Sequence, residues 1–146
     1  MSTIVVGVDG SIDGQRALDW ALGEARHHAA ELVAVHAWEY SSGMYTLPSD
    51  AKDTASHILS DCLAKADTHG VKVRTRLVEG RPVVTLVREA VAADMLVVGS
   101  RGRSAIAAVM LGSVSTGCVH HATCPVVVVP APRVTSPSGQ TTAAQP

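Results

Sequence analysis

Five strand-like segments alternate with four helical patterns along this chain. "TIVVGVDGS", "ELVAVHAW" and "DMLVVG" carry apolar runs without polar alternation, which is typical of strands buried on both faces. Segments such as "DGQRALDWALGEARHHA" between them place apolar residues on one helical face. The alternation predicts an α/β fold, a five-stranded parallel open sheet with helices on both faces. Such sheets bind ligands at the carboxyl ends of their strands, where the strand order reverses.

The third and fifth strand segments differ from the others. "VKVRTRLV" alternates apolar and cationic residues, which indicates one solvated face or an edge position, and we expect Lys72, Arg74 and Arg76 to form a solvated strand face. "PVVVVP" is apolar throughout, and an exposed apolar strand edge favours pairing with another chain. The sequence therefore predicts a homodimer that forms through residues Val126–Val129.

The expected element ends follow from local signals. Ser11 or Asp13 can cap the first helix, and Gly70 is expected to end the second. Pro82 suits the first turn of the third helix, whose apolar stripe is predicted to extend to Val91.

Composition limits the class of protein. A chain of 146 residues predicts one domain, which we place at residues 1–131, with a disordered tail at residues 132–146 that is rich in Pro, Ser and Thr. A net charge of −1 gives no support for nucleic-acid or anionic-membrane binding. No leader pattern and no membrane-length apolar run is found, and three cysteines are too few for a disulfide framework. We therefore expect a cytoplasmic protein.

A glycine pattern after the fourth strand indicates the candidate site. Gly99-x2-Gly102-x9-Gly112-Ser113 combines close backbone approach with a helix start, where free N–H groups attract anions. Arg101 on the same loop could neutralise phosphate charge. From spacing alone, turn glycines plus a helix cap explain the pattern equally well. A P-loop and a G-x-G-x-x-G motif are both absent from the sequence, so neither NTP hydrolysis of the P-loop type nor a dinucleotide cofactor is expected.

The motifs "IVVGVDGS", "AADMLVVGSRG" and "VSTGCVHHATCPVVVVP", with the glycine spacing, resemble the ATP-binding branch of the universal stress protein family. The resemblance covers residues 1 to about 130. It implies a Rossmann-like sheet of the adenine nucleotide alpha hydrolase type, with the nucleotide at the ends of the first and fourth strands. It also implies that the last strands pair across a two-fold axis.

The resemblance assigns binding roles position by position. Asp9 matches the acidic residue on the ribose and phosphate side, and Val8 and Ala37 match positions beside the adenine. The matched ribose and phosphate loop comprises Val98, Gly99, Arg101 and Gly102, and the matched phosphate-holding helix start comprises Gly112, Ser113, Val114 and Ser115.

A structural alternative competes with the assignment of Asp9, which could simply cap the turn after the first strand. His36, which has no assigned binding role, is expected to be structural. Cys118, His121 and Cys124 lack paired metal-ligand spacing, so no metal site formed by side chains is expected. Any Mg²⁺ would be carried by ATP phosphates, with Asp9 as the nearest candidate carboxylate.

The functional prediction is an ATP- and Mg²⁺-binding regulatory module of the stress response. Neither a catalytic base nor a paired nucleophile is evident in the sequence, so ATP hydrolysis is expected to be slow or absent and no catalytic residue is assigned. Cyclic AMP is an alternative ligand. The first competing hypothesis is an adenylate-transferring or ATP-cleaving enzyme of the same architecture. The second is a nucleotide-free protein that binds a partner.

Overall fold

A computed structural model of the chain describes residues 1–41, 47–101 and 111–132. Its strands and helices alternate as the sequence predicts. They are β1 (Thr3–Gly7), α1 (Ile12–His28), β2 (Glu31–Trp38), α2 (Pro48–Ala64), β3 (Val73–Glu79), α3 (Pro82–Glu89), β4 (Met95–Gly99), α4 (Ser113–His121) and β5 (Val126–Val129).

The five strands form one parallel sheet in the order β3-β2-β1-β4-β5. The chain moves from β1 to β3 in one direction and then crosses to β4 on the other side of β1. The strand order therefore reverses between β1 and β4, which is where ligands bind in open α/β sheets. The predicted fold class is confirmed, and β3 and β5 are the two edge strands.

Two apolar layers cover the sheet. On one face, α1 and α2 pack through Leu18, Leu22 and Leu59 onto Ile4 and Leu32. The other layer is built from α3 and α4, with Leu86 and Cys118 packed against Val5, Val35 and Leu96. Each connection between parallel strands is right-handed. The connections from β1 to β3 therefore place α1 and α2 on one face, and those from β3 to β5, which run in the opposite direction across the sheet, place α3 and α4 on the other.

Several helix ends differ from the expectations. Ser11 caps α1, because its hydroxyl accepts from the Gly14 N–H, whereas Asp13 lies buried in the first turn. The helix α2 ends at Ala64, so Gly70 (φ +75°) forms the turn before β3 instead of a helix cap. Val91 lies beyond the end of α3 and is exposed, so the predicted stripe is two residues too long.

The cationic residues of β3 are solvated, as predicted, but they are also paired. Glu31 on the neighbouring strand contacts Arg74 and Lys72, and the Arg76 guanidinium lies 3.0 Å from a Glu89 oxygen. The two carboxylates offset two of the three positive charges, and such exposed ion pairs contribute little to stability.

No helix in the three described ranges is long and apolar enough to cross a membrane. Of the predicted tail, only Pro132 is among the described residues.

Candidate functional site

The strands separate at the carboxyl edge of the sheet, next to the reversal of strand order. Pairing of β1 with β4 ends at Val6 and Val97, and pairing of β1 with β2 ends at Gly7 and Val35. Among the described residues, one further ladder hydrogen bond joins the segments that follow β1, β2 and β4: Val8 N–H donates to Val35 O at 2.9 Å. We call the space between the ends of these three strands the cleft. Three of the sequence-predicted residues lie at the ends of these strands: Val8 follows β1, Ala37 is the second-last residue of β2 and Gly99 is the last residue of β4.

Asp9 performs the capping role and leaves one oxygen available. Its Oδ1 accepts from the N–H of Ser11, at 2.9 Å, and from the Ser11 hydroxyl. Because Ser11 in turn caps α1, Asp9 fixes the turn between β1 and α1. Its Oδ2 makes no hydrogen bond within the part of the chain that the structure describes, and the residue is half-buried. The capping and ligand-binding interpretations of Asp9 are thus compatible.

Gly99 is required by helix packing. A Cβ at Gly99 would lie 2.7 Å from the carbonyl oxygen and 2.8 Å from the carbonyl carbon of Asp13, in the first turn of α1. The sequence interpretation gave Gly99 the task of letting a ligand approach the backbone. In the structure it is α1 that approaches, so Gly99 shapes the site by admitting the helix.

Asp13 is the site residue that sequence reasoning missed as a functional candidate. Its carboxylate is buried and is shared by two guanidinium groups, Arg16 at 2.6 Å and Arg101 at 3.0 Å. The second bond joins residues 88 positions apart. No local pattern could have revealed it, since the sequence marks Asp13 only as a polar residue near a helix start. One donor of the predicted site residue Arg101 is therefore committed to Asp13.

The start of α4 lies against the end of β4. Gly112 N–H donates to the Ser100 carbonyl at 2.7 Å, and the Ser115 hydroxyl lies 3.1 Å from the same oxygen and 3.0 Å from the Gly112 oxygen. Ser115 is fully buried, and its hydroxyl joins the residue that follows β4 to the start of α4. Gly112 has φ −70°, which any residue can adopt.

Several donors at this helix start have no acceptor among the described residues. The first N–H groups of an α-helix have no intrahelical acceptor, and within the described ranges no side chain caps α4. Ser113 is exposed and Val114 is half-buried. The predicted Gly102 lies outside the described residues.

Ala37 presents its backbone to the cleft. Gly80 N–H donates to Trp38 O at 2.8 Å, so the polar groups of Trp38 face β3. Backbone groups of successive strand residues point to opposite sides. Those of Ala37 therefore face β1, past the last ladder pair between β1 and β2. Within the described ranges, neither its N–H nor its carbonyl makes a hydrogen bond.

Val8 and His36 complete this side of the cleft. Val8 is buried, and its carbonyl oxygen lies 2.7 Å from Nδ1 of His36, which is itself buried. The sequence analysis expected a structural role for His36, and its contact with the Val8 carbonyl places it beside two predicted adenine-site residues, Val8 and Ala37.

Burial disfavours the thiolate form of all three cysteines. Burial raises the pKa of the Cys118 thiol to about 11, and burial also raises the pKa of Cys62 and Cys124. No set of three His, Cys, Asp or Glu residues in the described chain is arranged to hold a metal ion.

A family model described as the universal stress protein family matches residues 1–130. A universal stress protein of Mycolicibacterium smegmatis is 36% identical over 140 residues, which is 86% of this chain and 47% of that protein. One from Bacillus subtilis is 31% identical and is covered over 97% of its length. The chain thus spans about half the length of the mycobacterial relatives and nearly all of the Bacillus subtilis protein.

Solved structures of universal stress proteins are also similar to this chain. A universal stress protein in complex with cAMP superposes with a TM-score of 0.60 at 32% identity, over 88% of this chain and 95% of that one. A universal stress family protein from Arabidopsis thaliana with AMP bound gives a TM-score of 0.63 at 27% identity, over 90% and 93% of the two chains. A third, from Burkholderia pseudomallei, gives 0.68 at 30% identity, over 89% and 96%.

Proposed function

The chain belongs to the universal stress protein family, and we propose that it binds ATP together with Mg²⁺ as a nucleotide-dependent regulatory module of the stress response. The proposal depends on the cleft between the ends of β1, β2 and β4. Relatives of the same fold that hold cAMP or AMP support a nucleotide ligand.

The backbone of Ala37 would recognise the adenine base. One N–H donor and one carbonyl acceptor face the cleft from the same residue. The adenine edge offers an amino donor beside a ring nitrogen acceptor, which complements this pair, whereas guanine offers an acceptor and a donor in the reverse order. Buried Val8 gives an apolar surface beside the base. We therefore expect adenine to be preferred over guanine.

The start of α4 carries the phosphate part. Free N–H groups and the positive end of the helix dipole attract anions, and Ser113 adds an exposed hydroxyl. Arg101 borders the cleft with a positive charge, and we assign Gly102 to the same loop from the family resemblance. Ser115 and Gly99 act by positioning the loop and α1, as their contacts indicate.

The residues present fit a magnesium ion that is held mainly by the ligand. Mg²⁺ keeps several waters and binds through one or two carboxylates plus phosphate oxygens. Asp9 supplies one such carboxylate, with Oδ2 making no hydrogen bond to described residues. The ion would neutralise phosphate charge near this carboxylate.

We further propose a homodimer through β5. This strand lies at the sheet edge, and all four of its valines are only half-buried within one chain. A second copy would cover them and pair the open edge. The three free cysteines support a reducing, cytoplasmic location.

Thermal unfolding with and without nucleotide tests the proposal. A ligand at about 100 times its Kd adds about 2.7 kcal/mol to the free energy of unfolding, which raises the melting temperature by several degrees. We expect ATP with Mg²⁺ to produce this shift and GTP to produce a smaller one. Ser113→Ala should reduce ATP affinity by about fivefold, the effect of one lost hydrogen bond. The matched control is Thr116→Ala, which removes another exposed hydroxyl of α4.

The competing hypotheses predict other results. If millimolar ATP produces no shift and the purified protein carries no nucleotide, the nucleotide-free partner-binding hypothesis replaces ours. If ATP binds and is turned over to ADP or an adenylate within seconds, the enzyme hypothesis is favoured. A larger shift with cyclic AMP than with ATP would change the assigned ligand but not the site.

A further inference from the structure

The His36 side chain hydrogen-bonds to a backbone carbonyl that would ordinarily accept from the neighbouring strand of the β-sheet. Nδ1 of its ring lies 2.7 Å from the carbonyl oxygen of Val8, and the side chain is 6% exposed. A carbonyl oxygen can only accept, so Nδ1 carries the hydrogen in this contact. The ring orientation is thereby set by the β1 backbone.

The ladder between β1 and β2 shows what this contact replaces. Val8 N–H donates to Val35 O. In a parallel pair, the next bond would run from Ala37 N–H to Val8 O. That bond is absent between these two described residues, and the imidazole of His36 donates to Val8 O in its place.

We propose that His36 is a positioning residue that occupies the Val8 carbonyl and thereby keeps the Ala37 N–H available to the base of the nucleotide. Without the imidazole, Val8 O would be a buried acceptor lacking a partner, and the Ala37 N–H would be the nearest donor to satisfy it. The ladder would then extend by one bond and remove the donor that recognises adenine. The inference rests on the proposed function for the identity of the ligand, but not for the contact itself.

A purely structural role for His36 makes a different prediction. Its side chain lies on the sheet face shared with Leu32 and Ala34, which are core residues under α1 and α2. If the ring only filled space there, a substitution would lower stability without changing the Ala37 amide. The state of that amide therefore separates positioning from packing.

His36→Asn and His36→Leu form a matched pair for the test. The two side chains have the same shape, but the Asn amide nitrogen stands where Nδ1 stands and can donate to Val8 O, whereas Leu cannot donate. His36→Phe keeps the ring volume without the donor and provides a second test if the Leu variant does not fold. Melting temperature and circular dichroism establish that each variant is folded.

The first measurement is residue-resolved amide hydrogen exchange by NMR on the nucleotide-free protein. We expect the Ala37 amide to exchange faster than that of Val35 in the wild type and in His36→Asn. In His36→Leu or His36→Phe it should slow by about fivefold or more, because a new hydrogen bond protects it. Unchanged Ala37 exchange in the folded Leu and Phe variants would overturn the proposal.

The second measurement is ATP affinity by calorimetry. We expect His36→Leu to raise the Kd for ATP by about tenfold and to reduce the preference for ATP over GTP, and His36→Asn to stay within about twofold of the wild type. Equal Kd values for the Asn and Leu variants would overturn the role in binding. If wild-type protein binds no nucleotide, the proposed function fails, while amide exchange still decides whether His36 keeps Ala37 unpaired.

Discussion

The α-carbon of Gly99 at the end of β4 lies against the backbone of Asp13 in the first turn of α1, so closely that a Cβ would be 2.7 Å from the Asp13 carbonyl oxygen. The obstacle is main chain, which cannot rotate away as a flexible side chain can. This contact sets how near α1 approaches the carboxyl end of β4, and it therefore sets the position of Asp13 and its partner Arg101.

Gly99→Ala should destabilise the protein by about 1–3 kcal/mol, the usual cost of overpacking. Gly23→Ala is the matched control, because Gly23 lies within α1 and its Cβ would meet nothing within 4 Å. That change should stabilise the protein by about 0.5–1 kcal/mol through helix propensity. Urea unfolding measures both. Equal effects of the two substitutions would show that α1 does not constrain Gly99.

The Arg101–Asp13 ion pair should show energetic coupling. The Asp13 side chain is 9% exposed and that of Arg101 is 24% exposed, so the pair is only partly screened by solvent. A double-mutant cycle with Asp13→Asn and Arg101→Gln should give a coupling of about 1 kcal/mol in urea unfolding. The Arg16–Asp13 pair, with Arg16 more exposed, is the comparison and should couple less. A coupling of zero for Arg101 would mean that its guanidinium is already free for the ligand.

Asp94 should contribute a pH-dependent part of the stability. Hydrogen bonds from the N–H groups of Thr3 and Ser2 lower the pKa of this carboxyl. A folded-state pKa below the unfolded value of about 4 means stability that is present above pH 4 and lost as pH falls through the folded value. Asp94→Asn should therefore be less stable than the wild type at pH 7, with the difference shrinking below about pH 4. A pH-independent difference in urea unfolding would contradict this assignment.

The β5 edge should be sensitive to charge if it forms the dimer. Val127→Lys or Val128→Lys places an ammonium group on the half-buried strand, and light scattering should report a shift from dimer to monomer. Thr75→Lys provides the control, since Thr75 is exposed on β3 at the opposite edge. Circular dichroism confirms that each variant is folded. A folded β5 variant that remains dimeric would place the interface elsewhere.

The order and type of the elements could be predicted from the sequence because the signals are local. Apolar runs and helical periodicity locate β1 to β5 and α1 to α4, the alternating cations indicate a solvated face of β3, and Pro82 marks the start of α3. Each of these patterns is carried by neighbouring residues and needs no knowledge of distant partners. The glycine spacing and the flanking motifs likewise indicated the cleft and the family.

Only the tertiary structure decided which residues meet in that cleft. Asp13 and Arg101 are 88 positions apart, and His36 and Val8 are 28 apart, so their contacts depend on strand order and crossover direction. The same holds for Gly99, whose glycine is required by a helix that begins far earlier in the chain. A sequence pattern records the polarity and size of each residue in turn. Distant groups become neighbours only when two parallel strands place their carboxyl ends side by side, which is a property of the folded sheet.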